Sequence, residues 1–204
     1  NTVGCSPRVM ERLRECLNAG QLSVYPEYGE AKHELAEFFG VSPEQFIFTN
    51  GTDEAIQVLV NTYVDDGDEV LLLKPSYAMY RFYSEVAGAR IGEIEYRQPD
   101  LAFPLEELLD AITPAARAVL IANPNNPTGT AIGLDAVARI VEKAQNAAVL
   151  IDEAYFEFYG VTALPLLGRF PNLFVSRTFS KVYGLAGMRC GCLFSDARNV
   201  AYLH

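Results

Sequence analysis

The sequence predicts a three-layer α/β/α domain in which helices cover both faces of a seven-stranded, mostly parallel sheet. Two observations lead to this prediction. Short apolar runs of strand length recur along the chain, and segments with apolar residues at helical spacing lie between several of them. A ligand of such a sheet is expected at the carboxyl ends of its strands. The predicted strands are residues 45–48, 70–73, 91–95, 118–122, 147–151, 173–176 and 189–194.

Helix signals begin near the amino terminus. Ser6 and Pro7 are typical of a helix start, and apolar residues at helical spacing follow them as far as Gly20, which predicts the end of this first helix. A second helix is predicted between Pro26 and Gly40, because glycine is favoured where the chain leaves a helix in a left-handed conformation.

The alternation of strand and helix starts at residue 45. Residues 49–53 predict a turn and a helix cap, and further helices are predicted over residues 105–112 and 135–144. The helix after residue 53 has a predicted buried face made of Ile56, Leu59, Val60 and Tyr63. Neither a repeat nor a linker divides the sequence, so the predicted domain is residues 1–204.

The composition excludes several classes of protein. Half of the 204 residues are hydrophobic, enough for a buried core, yet no apolar run is long enough to cross a bilayer. A net charge of −10 disfavours binding to nucleic acid or to anionic lipid. Four irregularly spaced cysteines and the lack of a secretory start predict reduced thiols in the cytoplasm. Two histidines are too few for a histidine-based metal centre, so no metal site is predicted.

Polar segments follow three of the predicted strands. Residues 123–129 read Asn-Pro-Asn-Asn-Pro-Thr-Gly, residues 152–155 read Asp-Glu-Ala-Tyr, and residues 177–181 read Arg-Thr-Phe-Ser-Lys. Taken singly, these segments are typical of a turn, a helix cap and a solvated lysine. It is their occurrence together and in this order that carries information about function.

The ordered segments resemble those of the fold-type-I pyridoxal-phosphate aminotransferases and, within them, the histidinol-phosphate aminotransferase group. The resemblance begins at Tyr25-Pro26, passes through residues 50–54, and continues through residues 123–129, 152–155 and 176–191. It implies an aminotransferase large domain that binds pyridoxal 5'-phosphate. Family members continue into a smaller C-terminal domain, so this large domain is expected to be truncated and the smaller domain to be absent from these 204 residues.

The resemblance also implies catalytic roles. Lys181 matches the lysine that attaches the cofactor aldehyde and then acts as the acid and base of the proton shift. Asp152 matches the carboxylate that keeps the pyridine nitrogen protonated, so that the ring can accept electrons. Asn126 and Tyr155 match the two donors to the ring oxygen. Outside the resemblance, these two residues are typical of a turn asparagine and a core tyrosine.

A second set of residues concerns the phosphate. A dianion suits the free N–H groups and the dipole of a helix start, which the sequence places at residues 51–53. The resemblance adds three side chains, and the arginine among them is suited to a bidentate contact. The residues expected to hold the phosphate are Gly51, Thr52, Asp53, Thr178, Ser180 and Arg189.

Two tyrosines complete the expected site. Tyr77 matches the aromatic residue that stacks on the cofactor ring, although a strand-to-helix junction often carries a core tyrosine as well. Tyr25 matches a tyrosine that reaches the cofactor phosphate of the other subunit, which implies a homodimer with shared sites.

The implied reaction is transamination between a small-molecule amino donor and a 2-oxo acid. For the group that the sequence resembles, histidinol phosphate and 2-oxoglutarate are converted to imidazole acetol phosphate and glutamate, a step of histidine biosynthesis. An aromatic amino-acid aminotransferase or a threonine-phosphate decarboxylase would share nearly all of these residues. A non-catalytic ligand-sensing domain of aminotransferase descent is the alternative of a different class.

Overall fold

One seven-stranded sheet organises the protein, whose computed structural model describes residues 3–203. Asn1, Thr2 and His204, which the predicted domain includes, lie outside the described residues. The strands are β1 (Phe46–Thr49), β2 (Glu69–Lys74), β3 (Arg90–Glu95), β4 (Ala116–Ala122), β5 (Ala148–Asp152), β6 (Leu173–Thr178) and β7 (Gly191–Phe194).

The strand order is β1-β7-β6-β5-β4-β2-β3. Only β7 is antiparallel to its neighbours, β1 and β6, and the other pairs within the described residues are parallel. The predicted seven-stranded, mostly parallel α/β sheet is therefore confirmed. Strands such as β4 and β5 are buried along almost their whole length, as expected for parallel strands covered on both faces.

Helices precede, connect and follow the strands. They are α1 (Pro7–Cys16), α2 (Ala19–Ser23), α3 (Gly29–Phe39), α4 (Gly51–Tyr63), α5 (Ala78–Val86), α6 (Leu105–Ala111), α7 (Leu134–Lys143), α8 (Phe156–Tyr159) and α9 (Ala197–Leu203). Buried residues of α3, α6 and α7 pack on one face of the sheet, and those of α4, α5 and α9 pack on the other. No helix between residues 3 and 203 has the length and apolar character that a membrane span requires.

The first predicted helix is wrong at its end. Gly20 lies inside the short helix α2 and does not terminate α1, which ends at Cys16. The physical reason is the side chain of Asn18, whose Oδ1 accepts the backbone N–H of Gln21 at 3.0 Å and so starts a new helix. Gly40, in contrast, ends α3 in the left-handed conformation with φ of 68°, as predicted.

Candidate active site

A cavity of about 210 Å³ lies at the carboxyl edge of the sheet. Residues that follow β1, β2, β4, β5 and β6 reach this edge because these strands run in one direction. Since β7 runs the opposite way, the residues that precede it arrive at the same edge. The sequence-predicted residues that line the cavity are Thr52, Asp53, Tyr77, Asn126, Asp152, Tyr155, Thr178, Ser180, Lys181 and Arg189.

Asp152 is a buried carboxylate at one side of this cavity. Its Oδ1 accepts the Ser176 hydroxyl at 2.8 Å and the backbone N–H of Ala154 at 3.1 Å, and its Oδ2 accepts the Tyr80 hydroxyl at 2.7 Å. Burial raises the pKa of Asp152, and these hydrogen bonds oppose the shift. All three donors are neutral. A buried carboxylate favours a positively charged partner, so a ligand with a cationic N–H group would suit this side of the cavity.

The first turn of α4 and the side chain of Arg189 together form a group of hydrogen-bond donors, called the cradle below. Gly51 has φ of 76°, a left-handed conformation that favours glycine, and the N–H groups of the first helical turn have no acceptor within the helix. The Arg189 guanidinium lies beside this turn, with its Nη2 3.0 Å from the Asn50 carbonyl oxygen and 3.3 Å from Asp53 Oδ2. The positive end of the α4 dipole and the Arg189 guanidinium therefore border the same part of the cavity.

Two buried hydroxyl residues extend the cradle. Thr178 Oγ1 accepts the backbone N–H of Ser180 at 3.1 Å, and Thr178 pairs with Gly191 across β6 and β7. Position 191 has no room for a side chain, because a Cβ on Gly191 would lie 3.0 Å from the Cα of Gly51 and 2.8 Å from the carbonyl oxygen of Arg177. The missing side chain lets α4 start directly against the sheet, next to the two hydroxyl groups.

Tyr77 links the cradle with the Asp152 side of the cavity. Its hydroxyl donates to Asp53 Oδ1 at 2.9 Å, and its ring meets the Tyr80 ring edge to face at a centroid distance of 5.7 Å. Burial, followed by the hydrogen bond to Asp53, raises the pKa of Tyr77 above its ordinary value. The hydroxyl is therefore protonated at neutral pH and acts as a donor.

The loop after β4 is held by its buried asparagines. Asn123 exchanges hydrogen bonds with the backbone of Ile132 at 3.1 and 2.9 Å, and Asn125 donates to the Pro75 carbonyl oxygen at 3.0 Å. These contacts fix the loop from both sides. Asn126, which lies between them and the rest of the turn, contributes to the cavity lining.

Lys181 is exposed at the cavity rim, in contrast to the buried Asp152. Its Nζ lies 5.3 Å from the ring centroid of Tyr155. The loop that carries Lys181 is tied to the sheet, because Phe179 donates its N–H to the Cys190 carbonyl oxygen at 3.0 Å and accepts the N–H of Leu185 at 3.1 Å. The amine is thus presented by a closed loop.

A buried ion pair lies on the opposite face of the same strand ends. Arg177 Nε is 2.7 Å from Glu153 Oε2, and the side chains are only 5% and 0% exposed. Glu153 also accepts the Thr162 hydroxyl at 2.8 Å and the Ala163 N–H at 2.6 Å, while the guanidinium carbon lies 3.5 Å from the Phe156 ring centroid. Strand alternation places this pair behind Asp152 and Ser176.

Two of the expected residues, Gly51 and Tyr25, are not part of the cavity lining. Tyr25 is 96% exposed, and the expectation for it concerned the cofactor of the other subunit, which a single chain does not test. Sequence reasoning missed Tyr80 and the hydroxyl of Ser176, both bound to Asp152. The available signal for Tyr80 was its position one helical turn after Tyr77, and the signal for Ser176 was its place at a strand end.

The three-layer fold, with its cavity at the strand ends, is an architecture found in pyridoxal-phosphate-dependent aminotransferases. The chain belongs to the family described as aminotransferase class I and II, whose sequence profile matches residues 1–204. That family depends on pyridoxal phosphate.

Both the sequence and the fold of this chain are similar to those of known aminotransferases. A histidinol-phosphate aminotransferase of Caldanaerobacter subterraneus subsp. tengcongensis is 39% identical over 199 residues, covering 96% of this chain and 56% of that protein. The solved structure of a histidinol-phosphate aminotransferase from Sinorhizobium meliloti, in complex with pyridoxal-5'-phosphate, superposes with a TM-score of 0.88 at 29% identity, covering 97% of this chain and 55% of that one. An aspartate aminotransferase from Thermus thermophilus, solved with maleate, gives a TM-score of 0.88 at 25% identity, with coverages of 98% and 56%. The chain spans about half the length of the curated relatives that it matches.

Proposed function

We propose that residues 1–204 are the cofactor-binding large domain of a pyridoxal-phosphate-dependent aminotransferase. The observation that carries the proposal is the convergence of Lys181, Asp152, Asn126 and Tyr155 on one cavity whose lining also includes an anion cradle. Such a cavity suits a ligand with an anionic group, a basic ring nitrogen and a carbonyl carbon, which are the three features of pyridoxal phosphate.

The residues present fit this cofactor. The first turn of α4, Thr178, Ser180 and Arg189 would hold the phosphate, because they offer helix N–H groups, hydroxyls and a guanidinium in an otherwise acidic protein. Asp152 would hold the ring nitrogen, since its buried carboxylate has only neutral donors among the hydrogen bonds described above. Tyr77 would cover the ring.

When bound, pyridoxal phosphate supplies an aldehyde that takes up amines and a ring that accepts electrons from the carbon next to the amine. Lys181 would provide the amine for covalent attachment and, after its release, would move a proton at its Nζ. The carboxylate of Asp152 would keep a proton on the ring nitrogen. Asn126 and Tyr155 would donate hydrogen bonds to the ring oxygen and so orient it.

The proposed substrates are histidinol phosphate and 2-oxoglutarate, with imidazole acetol phosphate and glutamate as products. The support is that curated relatives at 36–39% identity are histidinol-phosphate aminotransferases. A cytoplasmic location is proposed with this biosynthetic role, in agreement with the cysteines, all four of which are free thiols in the structure.

The test is a titration of the chain with pyridoxal phosphate, followed by visible absorption, borohydride reduction and peptide mapping. We expect saturation at one cofactor per chain, with the label on Lys181 and none on Lys32, Lys74 or Lys143. Histidinol phosphate is then expected to discharge the absorption band more readily than tyrosine or threonine phosphate. A label spread over several lysines would contradict the proposed site, and a preference for tyrosine would contradict the proposed substrate.

We also propose that the protein is a homodimer in which Tyr25 acts on the cofactor of the partner subunit. Tyr25 is almost fully exposed, and Leu17, Leu22, Val24 and Tyr28 of the same segment are large, exposed apolar side chains. Apolar surface of this kind is typical of an interaction site.

Sedimentation equilibrium tests the dimer. We expect twice the chain mass of 22.5 kDa. Tyr25→Phe is expected to weaken binding of pyridoxal phosphate by about tenfold, because one hydrogen bond to a charged phosphate is lost. A monomer at all concentrations would contradict the proposal.

A further inference from the structure

We propose that Tyr80 is a positioning residue, which holds the carboxylate of Asp152 ionised and oriented so that it can bind the protonated ring nitrogen of the cofactor. This inference rests on the proposed function, because it assigns a role toward the same ligand. It concerns a residue on α5 that the sequence analysis did not select.

The geometry gives Tyr80 a distinct share of the contacts to Asp152. Ser176 and the backbone N–H of Ala154 both donate to Oδ1, whereas Oδ2 accepts the Tyr80 hydroxyl at 2.7 Å. Rotation of the carboxylate about its Cβ–Cγ bond would move both oxygens away from their donors. The Tyr80 contact at Oδ2 therefore adds to the restraint from the two donors on Oδ1, and with them sets the direction of the remaining lone pairs.

Tyr80 is itself firmly placed. It is 1% exposed, its carbonyl oxygen accepts the Ser84 hydroxyl at 2.7 Å, and its ring packs against Tyr77. Burial raises the pKa of Tyr80 well above its ordinary value of 10, followed by the effect of the Asp152 charge. The hydroxyl therefore stays protonated at neutral pH and acts as a donor.

The hydrogen bond favours the charged form of Asp152. Burial raises the pKa of this carboxyl, and the Tyr80 hydroxyl is the first of the contacts that lower it. Without that donor the pKa would rise further, and a neutral carboxyl would no longer attract a ring N–H⁺. Charged and titratable groups that line the same cavity are Asp53 on α4, Tyr77 before α5, Tyr155 before α8, and Lys181 and Arg189 in the loop before β7.

The first experiment uses the chain without cofactor. Urea unfolding is measured from acid to mildly alkaline pH for wild type, Tyr80→Phe, Asp152→Asn and the double variant, so that the effects of the surrounding groups cancel. Asp152 has a raised pKa in the folded state, so its ionised form is penalised and the penalty appears as pH rises. The loss in free energy of unfolding caused by Tyr80→Phe should therefore appear as pH rises above the pKa of Asp152 in the wild type. It should reach its full size above the pKa of Asp152 in the variant.

We expect this cost to reach about tenfold in the unfolding constant, the effect of one hydrogen bond to a charged group. In the Asp152→Asn background the cost should be the same at every pH. Tyr63→Phe is the matched control, since Tyr63 ends α4 at the far side from the cradle and packs its ring on Phe174. A cost of Tyr80→Phe that is equal at all pH values in both backgrounds would mean a packing role only and would overturn the proposal.

The second experiment measures binding near neutral pH. The dissociation constant of pyridoxal phosphate is expected to rise about tenfold in Tyr80→Phe and to change less than about twofold in Tyr63→Phe. Binding of inorganic phosphate, a probe of the cradle alone, is expected to stay unchanged in both. Equal affinity of wild type and Tyr80→Phe for pyridoxal phosphate would overturn the positioning role. If the wild type takes up no pyridoxal phosphate, the proposed function fails, whatever the unfolding experiment shows.

Discussion

Replacing Lys181 by alanine is expected to abolish covalent attachment of pyridoxal phosphate while noncovalent binding persists. The amine at the cavity rim is the proposed attachment point, and no other lysine lines the described cavity. Asp152, Thr178 and Arg189 remain in the variant, so the phosphate and ring nitrogen keep their proposed partners. Visible absorption and mass after borohydride reduction should show no adduct, and equilibrium dialysis should still show bound cofactor.

Lys143→Ala is the matched control for this experiment. Lys143 lies exposed in the last turn of α7 and does not line the cavity, so attachment should be unaffected. An adduct that persists in Lys181→Ala and disappears in Lys143→Ala would overturn the assignment of the attachment point.

Arg177→Met is expected to lower the free energy of unfolding by about 3–5 kcal/mol, the cost of leaving one charge of a buried pair without its partner. Glu153 would remain fully buried with only its two neutral donors, Thr162 and Ala163. The stacking of the guanidinium on Phe156 would be lost as well. Urea unfolding at neutral pH measures this loss.

The pH dependence of the same variant gives a further check. Burial raises the pKa of Glu153, and the Arg177 charge is the largest influence that lowers it, so the substitution raises the pKa further. The penalty belongs to the ionised form, so the deficit should be largest at neutral pH and should shrink as pH falls and Glu153 is protonated. Arg177→Met combined with Glu153→Gln should recover part of the stability.

Arg97→Met is the control for the buried pair. Arg97 makes two hydrogen bonds to Glu107 at 2.9 and 2.8 Å, but both side chains are about half exposed. An exposed pair contributes at most about 1 kcal/mol. If Arg177→Met cost no more than Arg97→Met, the buried pair would not stabilise the fold as argued.

The strands of this protein are predictable from the sequence because burial on both faces leaves a continuous apolar run, as in β4 and β5. Helix ends are less predictable, because they depend on single side chains. Asn18 accepts the N–H of Gln21 and starts α2, so that Gly20 lies inside a helix and not at the end of one.

The residues that face the cavity could be selected from sequence because they occur in ordered local segments. The contacts that hold these residues in place could not be predicted from sequence in the same way. Tyr80 and Asp152 are 72 positions apart, and Arg177 on β6 and Glu153 just after β5 are 24 positions apart. Such pairs arise from the order and register of the strands, which local patterns do not specify. Alternation alone says that Glu153 and Asp152 face opposite sides, but not what either of them meets.

The position of β7 between β1 and β6 bears on the order in which parts of the cavity form during synthesis. Because chains fold as they are synthesised from the amino terminus, β1 and the start of α4 leave the ribosome long before Gly191, which pairs with Thr49. Among the strands described here, β7 is synthesised last, and it joins β1 to β6. Of the groups proposed to hold the phosphate, the first turn of α4 is therefore synthesised first, and Thr178, Ser180 and Arg189 join it only when β6 and β7 take their places beside β1.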